Sequence, residues 1–185
     1  MSLMKRYKTP KAGLFLVLLL VLGSCLPDDT DPEDLYGQWE ITEIQAVLDE
    51  RNAPRLTKEK VYGTENLYFE FLSGGRFATN TDIGLNKFLL EKRVVTSGIY
   101  DFTSQGNRDY IELRFNDPQF NTQIELTFEV IDLDTNSPKM RMDTNAFISS
   151  IRASINRLPT DLQNSFYEFT TRITEAEFIL SFSKD

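Results

Sequence analysis

From Thr122 to Ile131 the chain alternates without a break, with Ile124, Leu126, Phe128 and Val130 on one side and Gln123, Glu125, Thr127 and Glu129 on the other. Successive side chains of a strand point to opposite faces, so a period of two dictates a strand with one buried and one wet face. That pattern belongs to an antiparallel sheet packed on one side only. The same signature, clean or partial, recurs over Leu35–Gln45, Asn66–Leu72, Arg76–Thr81, Arg93–Thr103, Arg108–Asn116, Lys139–Asp143 and Ile173–Lys184, which makes eight strands. Ser73-Gly74-Gly75, Ser104-Gln105-Gly106-Asn107 and Asn116-Asp117-Pro118 carry the residues of tight turns, so consecutive strands are expected to be antiparallel neighbours.

Two intervals lack this period. Ala46–Thr57 reads as a polar loop, followed by a weak helical signal over Leu56–Val61. Ala146–Leu158 has helical spacing, with Phe147, Ile151, Ile155 and Leu158 on one stripe, and Pro159 ends it. Thr160-Asp161-Leu162-Gln163 then has the form of a capping box opening a second helix, whose stripe is Leu162, Phe166 and Phe169. Both stripes are expected to pack on the outside or the open end of the sheet. The expected fold is therefore all-β: an eight-stranded antiparallel up-and-down barrel with a helical insertion before the last strand. Closure removes exposed sheet edges. A two-sheet sandwich is the alternative, because alternation does not report closure.

Composition removes several chemistries. The 185 residues include no histidine and one cysteine, which excludes a Ser-His-Asp triad, a histidine-ligated zinc or haem, and an internal disulfide. With 20 basic against 28 acidic side chains, the chain lacks the positive field that supplies most nucleic-acid affinity, so no nucleic-acid partner is expected. Paired carboxylates would be the remaining acid/base machinery. Glu112, Glu125 and Glu129 all fall on the wet faces of their strands, where solvated charge is the default, so no catalytic residue is assigned and the chain is read as a non-enzyme. Asp132, Asp134, Asn136 and Asp143 stand at positions 1, 3, 5 and 12 of a calcium-loop pattern. Ser137 occupies the position that needs glycine, and a strand rather than a helix precedes the loop. The cluster is read as an Asx-rich turn, with neither metal nor cofactor expected.

The first 24 residues are a different kind of sequence. All their charges are positive (Lys5, Arg6, Lys8, Lys11), and Leu14 to Leu22 is wholly apolar, too short to span a bilayer, as in a signal peptide. The run ends in Leu22-Gly23-Ser24-Cys25, which resembles a bacterial lipobox. That resemblance implies cleavage before Cys25 and a lipid thioether on its sulfur, anchoring the chain to a membrane. Residues 25–34 hold Asp28, Asp29, Asp31, Glu33 and Asp34 with two prolines, and are read as an acidic, extended tether. The stretch is similar to the acidic export signals of surface-exposed lipoproteins of the Bacteroidetes, which implies an outer-membrane lipoprotein. Display on the outer face and a periplasm-facing placement both stay open.

The domain expected over residues 35–185 opens with Leu35-Tyr36-Gly37-Gln38-Trp39-Glu40, whose Gly-x-Trp resembles the first strand of lipocalins. The resemblance implies that Gly37 permits close backbone approach at the closed end of a barrel and that Trp39 plugs that end. It is also similar to the lipocalin-like domains of Bacteroidetes lipoproteins. A small apolar or amphipathic ligand inside the barrel is the functional expectation, with ligand-binding residues unassigned. The alternative is a packed, ligand-free barrel that serves as a structural or interaction subunit of an envelope protein assembly. An eight-stranded barrel accommodates either.

Overall fold

A computed structural model of the chain describes residues 32–184 apart from 64, 85–89, 118–120 and 134. The signal segment, Cys25 and the tether as far as Asp31 lie outside the described residues. Among the described residues, nine strands and two helices follow a single turn of 3-10 helix at Pro32–Leu35: β1 (Gly37–Glu50), β2 (Leu56–Val61), β3 (Tyr68–Leu72), β4 (Arg76–Thr81), β5 (Lys92–Gln105), β6 (Arg108–Asp117), β7 (Thr122–Ile131), β8 (Lys139–Met142), α1 (Thr144–Ile155), α2 (Thr160–Arg172) and β9 (Ile173–Lys184).

The sheet is antiparallel and closed. β3 to β9 pair in chain order, and β9 returns to β1 in a register running from Trp39↔Lys184 to Glu50↔Ile173. Eight strands make the circuit, an up-and-down lipocalin-like barrel with its helices before the last strand. On its other side β1 serves two partners in succession: Gly37 to Glu40 pair with β3, and Glu43 to Leu48 pair with β2. The interior is largely apolar, with Ile111, Leu113 and Phe115 of β6 and Ile124, Leu126, Phe128 and Val130 of β7 all buried, alongside Thr79 and Thr81 of β4.

The structure corrects three expectations. First, β1 continues to Glu50 and Leu56–Val61 is a strand, where a loop and a weak helix were expected. A bulge between Ile41 and Glu43 sets the inward residues Ile41 and Ile44 three apart, so the period of two is broken before it resumes at Ala46 and Leu48. β2 is exposed along nearly its whole length, so nothing selects alternation in it. Second, α2 has no capping box. Pro159 is its N-cap, without a side-chain cap, and the Gln163 side chain donates to the Leu158 carbonyl instead.

Third, α1 stands in the barrel wall and does not lie on the sheet. β8 is four residues long, which leaves the lower part of β7 and the start of β9 without a strand between them. α1 fills that place. Ser150 Oγ and Ser154 Oγ accept the backbone N–H groups of Thr127 and Glu125 on the β7 side, and Thr144 Oγ1 accepts from the Ala176 N–H on the β9 side. Buried backbone donors need partners, and here helix hydroxyls supply what a longer β8 would have given. Phe147, Ile151 and Ile155 turn inward from the same helix. α2 then packs on α1, with Phe169 edge-on to Phe147.

Candidate functional site: a filled interior and an outer groove

Gly37 begins β1 at φ +122°, a backbone conformation that side chains rarely adopt, and the chain swings there from the 3-10 turn into the wall. Two residues on, Trp39 is wholly buried, edge-on to Phe71 and Phe182 at centroid distances of 5.0 and 5.5 Å. Lys184 lies 5.9 Å from its ring centre and donates to the Asp34 carbonyl, so Pro32–Asp34, the last residues of the expected tether, fold onto this end of the barrel. Phe69, Phe71, Phe77 and Tyr100 continue the aromatic packing above it. Gly98 makes room for them: a Cβ there would stand 2.3 Å from the Arg114 carbonyl oxygen and 2.6 Å from the Phe77 ring.

The interior retains a cavity of about 50 Å³, lined by apolar side chains that include Phe69, Leu113, Leu126, Phe147 and Phe178. Roughly 300 Å³ is the lower end of the range for small-molecule sites. At the open end of the barrel Ile83, Gly84 and Leu90 border the cavity, and Tyr62 holds Leu90 by both backbone groups. The Tyr62 hydroxyl donates to the Leu90 carbonyl at 3.0 Å and accepts its N–H at 2.9 Å. Burial pushes the Tyr62 hydroxyl pKa above its ordinary value, opposed by the bond with Leu90.

A far larger concavity, about 620 Å³, lies on the outside. Its floor is two adjacent rows across the sheet. Thr103, Tyr110, Glu129 and Arg141 are register partners across β5 to β8, and Asp101, Glu112 and Thr127 form the next row. These residues alternate with the inward-facing Ile111, Leu126, Phe128 and Met140, which places the groove on the outer face. The first turn of α1, with Asp143, Asn145 and Ala146, walls one side.

The carboxylates of the groove floor are held by guanidinium groups. Arg114 pairs with Asp101 and, at 3.2 Å, with Glu112; Arg108 and Arg141 approach Glu129 at 3.6 and 3.8 Å. Arg141 also pairs with Glu177 at 3.1 Å. Arg108 precedes Tyr110 by two residues on β6, so both stand on the same outer face. Sequence reasoning assigned Glu112, Glu125 and Glu129 to wet faces, and all three stand there in ion pairs, Glu125 with Arg157 at 2.5 Å. Of the calcium-like cluster, Asp143 caps α1 by accepting the Ala146 N–H, Asp132 sits in a turn at φ +57°, and Asp134 lies outside the described residues. The groove itself was not anticipated, because each of its residues looks ordinary on its own strand.

No protein-family model, curated protein or solved structure matches this chain.

Proposed function

We propose that the chain is a lipid-anchored module of the bacterial outer membrane whose barrel is a packed scaffold and whose partner binds from outside, as a non-enzymatic interaction subunit of an envelope assembly. The observation that carries this reading is the contrast between an interior filled to within about 50 Å³ and a concavity of about 620 Å³ on the outer face. The anchor rests on the lipobox-like Leu22-Gly23-Ser24-Cys25 and on the basic and apolar segment before it. The acidic residues after Cys25 favour display on the outer face over a periplasm-facing placement.

Incorporation of labelled palmitate in the bacterial host tests the anchor. The wild-type chain takes up label and sediments with membranes, whereas Cys25→Ala takes up none and becomes soluble with its fold retained. A membrane-bound Cys25→Ala chain would contradict it. Crosslinking in the same cells tests the partner: one protein recovered in stoichiometric yield supports the reading, and a chain that remains uncrosslinked removes it. A second reading, carriage of a small apolar or amphipathic molecule inside the barrel, draws on the apolar lining of the residual cavity next to Ile83 and Leu90 at the open end. It requires the Tyr62 hold on Leu90 to release and the interior to widen.

A further inference from the structure

We propose that the outer groove over β5 to β8 is a binding site for a neutral, hydroxyl-rich ligand, a short stretch of polysaccharide; this rests on the reading that the outer surface does the binding. Its volume of about 620 Å³ falls within the roughly 300–1,000 Å³ of small-molecule sites. The chemistry of the floor selects the class of ligand. A free organic cation needs carboxylates without partners, but Asp101, Glu112 and Glu129 already face Arg114, Arg108 and Arg141, and Asp143 is engaged in capping α1 through the Ala146 N–H. An anion meets those same carboxylates. An apolar molecule would strip water from charged groups and give nothing back.

A sugar hydroxyl both donates and accepts, so it matches a surface where carboxylate acceptors and guanidinium donors stand side by side, with Thr103 and Thr127 serving as either. Tyr110 adds the apolar component. Tyr110 is half-buried between Thr103 and Glu129 in the same row, so the groove floor offers an aromatic ring to the C–H side of a sugar beside its charged groups. The groove is carried by four paired strands and the first turn of a helix, so its geometry is set before any ligand arrives.

The test is affinity electrophoresis of the full-length chain, solubilised in mild detergent, through native gels containing dextran, amylopectin, glucomannan or xylan. At least one polysaccharide retards the wild-type chain. Tyr110→Ala, which removes the platform, and Thr103→Trp, which fills the groove from an exposed position, each weaken the dissociation constant at least tenfold. Thr57→Trp on β2, away from the groove, leaves it unchanged. Thr103→Trp keeps the test decisive even if Tyr110→Ala fails to fold. Three results would overturn the proposal: no retardation in any gel, retardation unaffected by both groove variants, or binding of spermidine at the groove in place of polysaccharide. If retardation fails while a stoichiometric protein partner is still crosslinked, the groove proposal falls and the surface reading stands.

Discussion

Single side chains carry much of this barrel's closure. Trp39 is buried against Phe71 and Phe182, so Trp39→Ala leaves a large void and is expected to cost about 3–5 kcal/mol in urea unfolding. Its indole N–H has no hydrogen-bond partner among the described residues. Trp39→Phe therefore removes an unsatisfied donor along with the extra ring and costs far less. An alanine variant within about 1 kcal/mol of wild type would contradict the plug. Tyr62 gives the pH dependence. Burial raises its pKa above 10.0, so the neutral phenol's contribution is complete below that value and is lost as pH rises through the folded-state value. Thermal unfolding between pH 8 and 11 should show a steeper alkaline loss for wild type than for Tyr62→Phe. Parallel curves would show that Tyr62 ionises as freely in the folded state as in the unfolded one.

Among elements, α1 has the most unusual place, because a helix stands where the barrel wall needs a strand. Replacing Ser154 by alanine removes only the hydroxyl and leaves the Glu125 N–H without its acceptor, at an expected cost of about 1–3 kcal/mol. An unchanged urea midpoint would mean that the hydroxyl does not hold the β7 edge. β2 raises the opposite question, since its outer edge has no strand partner among the described residues. Two copies pairing antiparallel about a two-fold axis set residues of equal parity opposite each other, and in the two registers that overlap most of β2 Lys58 meets Lys58 or Lys60. The charge pattern thus protects the edge. Lys58→Thr with Lys60→Val is expected to produce concentration-dependent association in analytical ultracentrifugation, and a strictly monomeric double variant would contradict this. The same two elements mark where the sequence was hard to read. The β6 and β7 strands are legible because each has one buried and one wet face. β2 has two wet faces, the bulge after Ile41 breaks the phase of β1, and Ser150 and Ser154 show no sign in sequence that they bond to a strand edge.

At the scale of the molecule, alternation and turn residues made an eight-stranded antiparallel sheet legible, but closure appeared only with the β1 and β9 register. The groove was illegible for a related reason. Thr103, Tyr110, Glu129 and Arg141 come from four strands and meet only through a register that no single strand encodes. The barrel has a nearly filled inside and its larger concavity outside, and the proposed reading puts binding on the outer face. Native mass spectrometry of the full-length chain purified from its bacterial host tests that division most directly. The polypeptide, with or without a covalent lipid, should appear without a separate one-to-one apolar passenger, in wild type and in Leu126→Trp alike. A small apolar molecule released from wild type at one-to-one stoichiometry, and missing from Leu126→Trp, would contradict the packed scaffold.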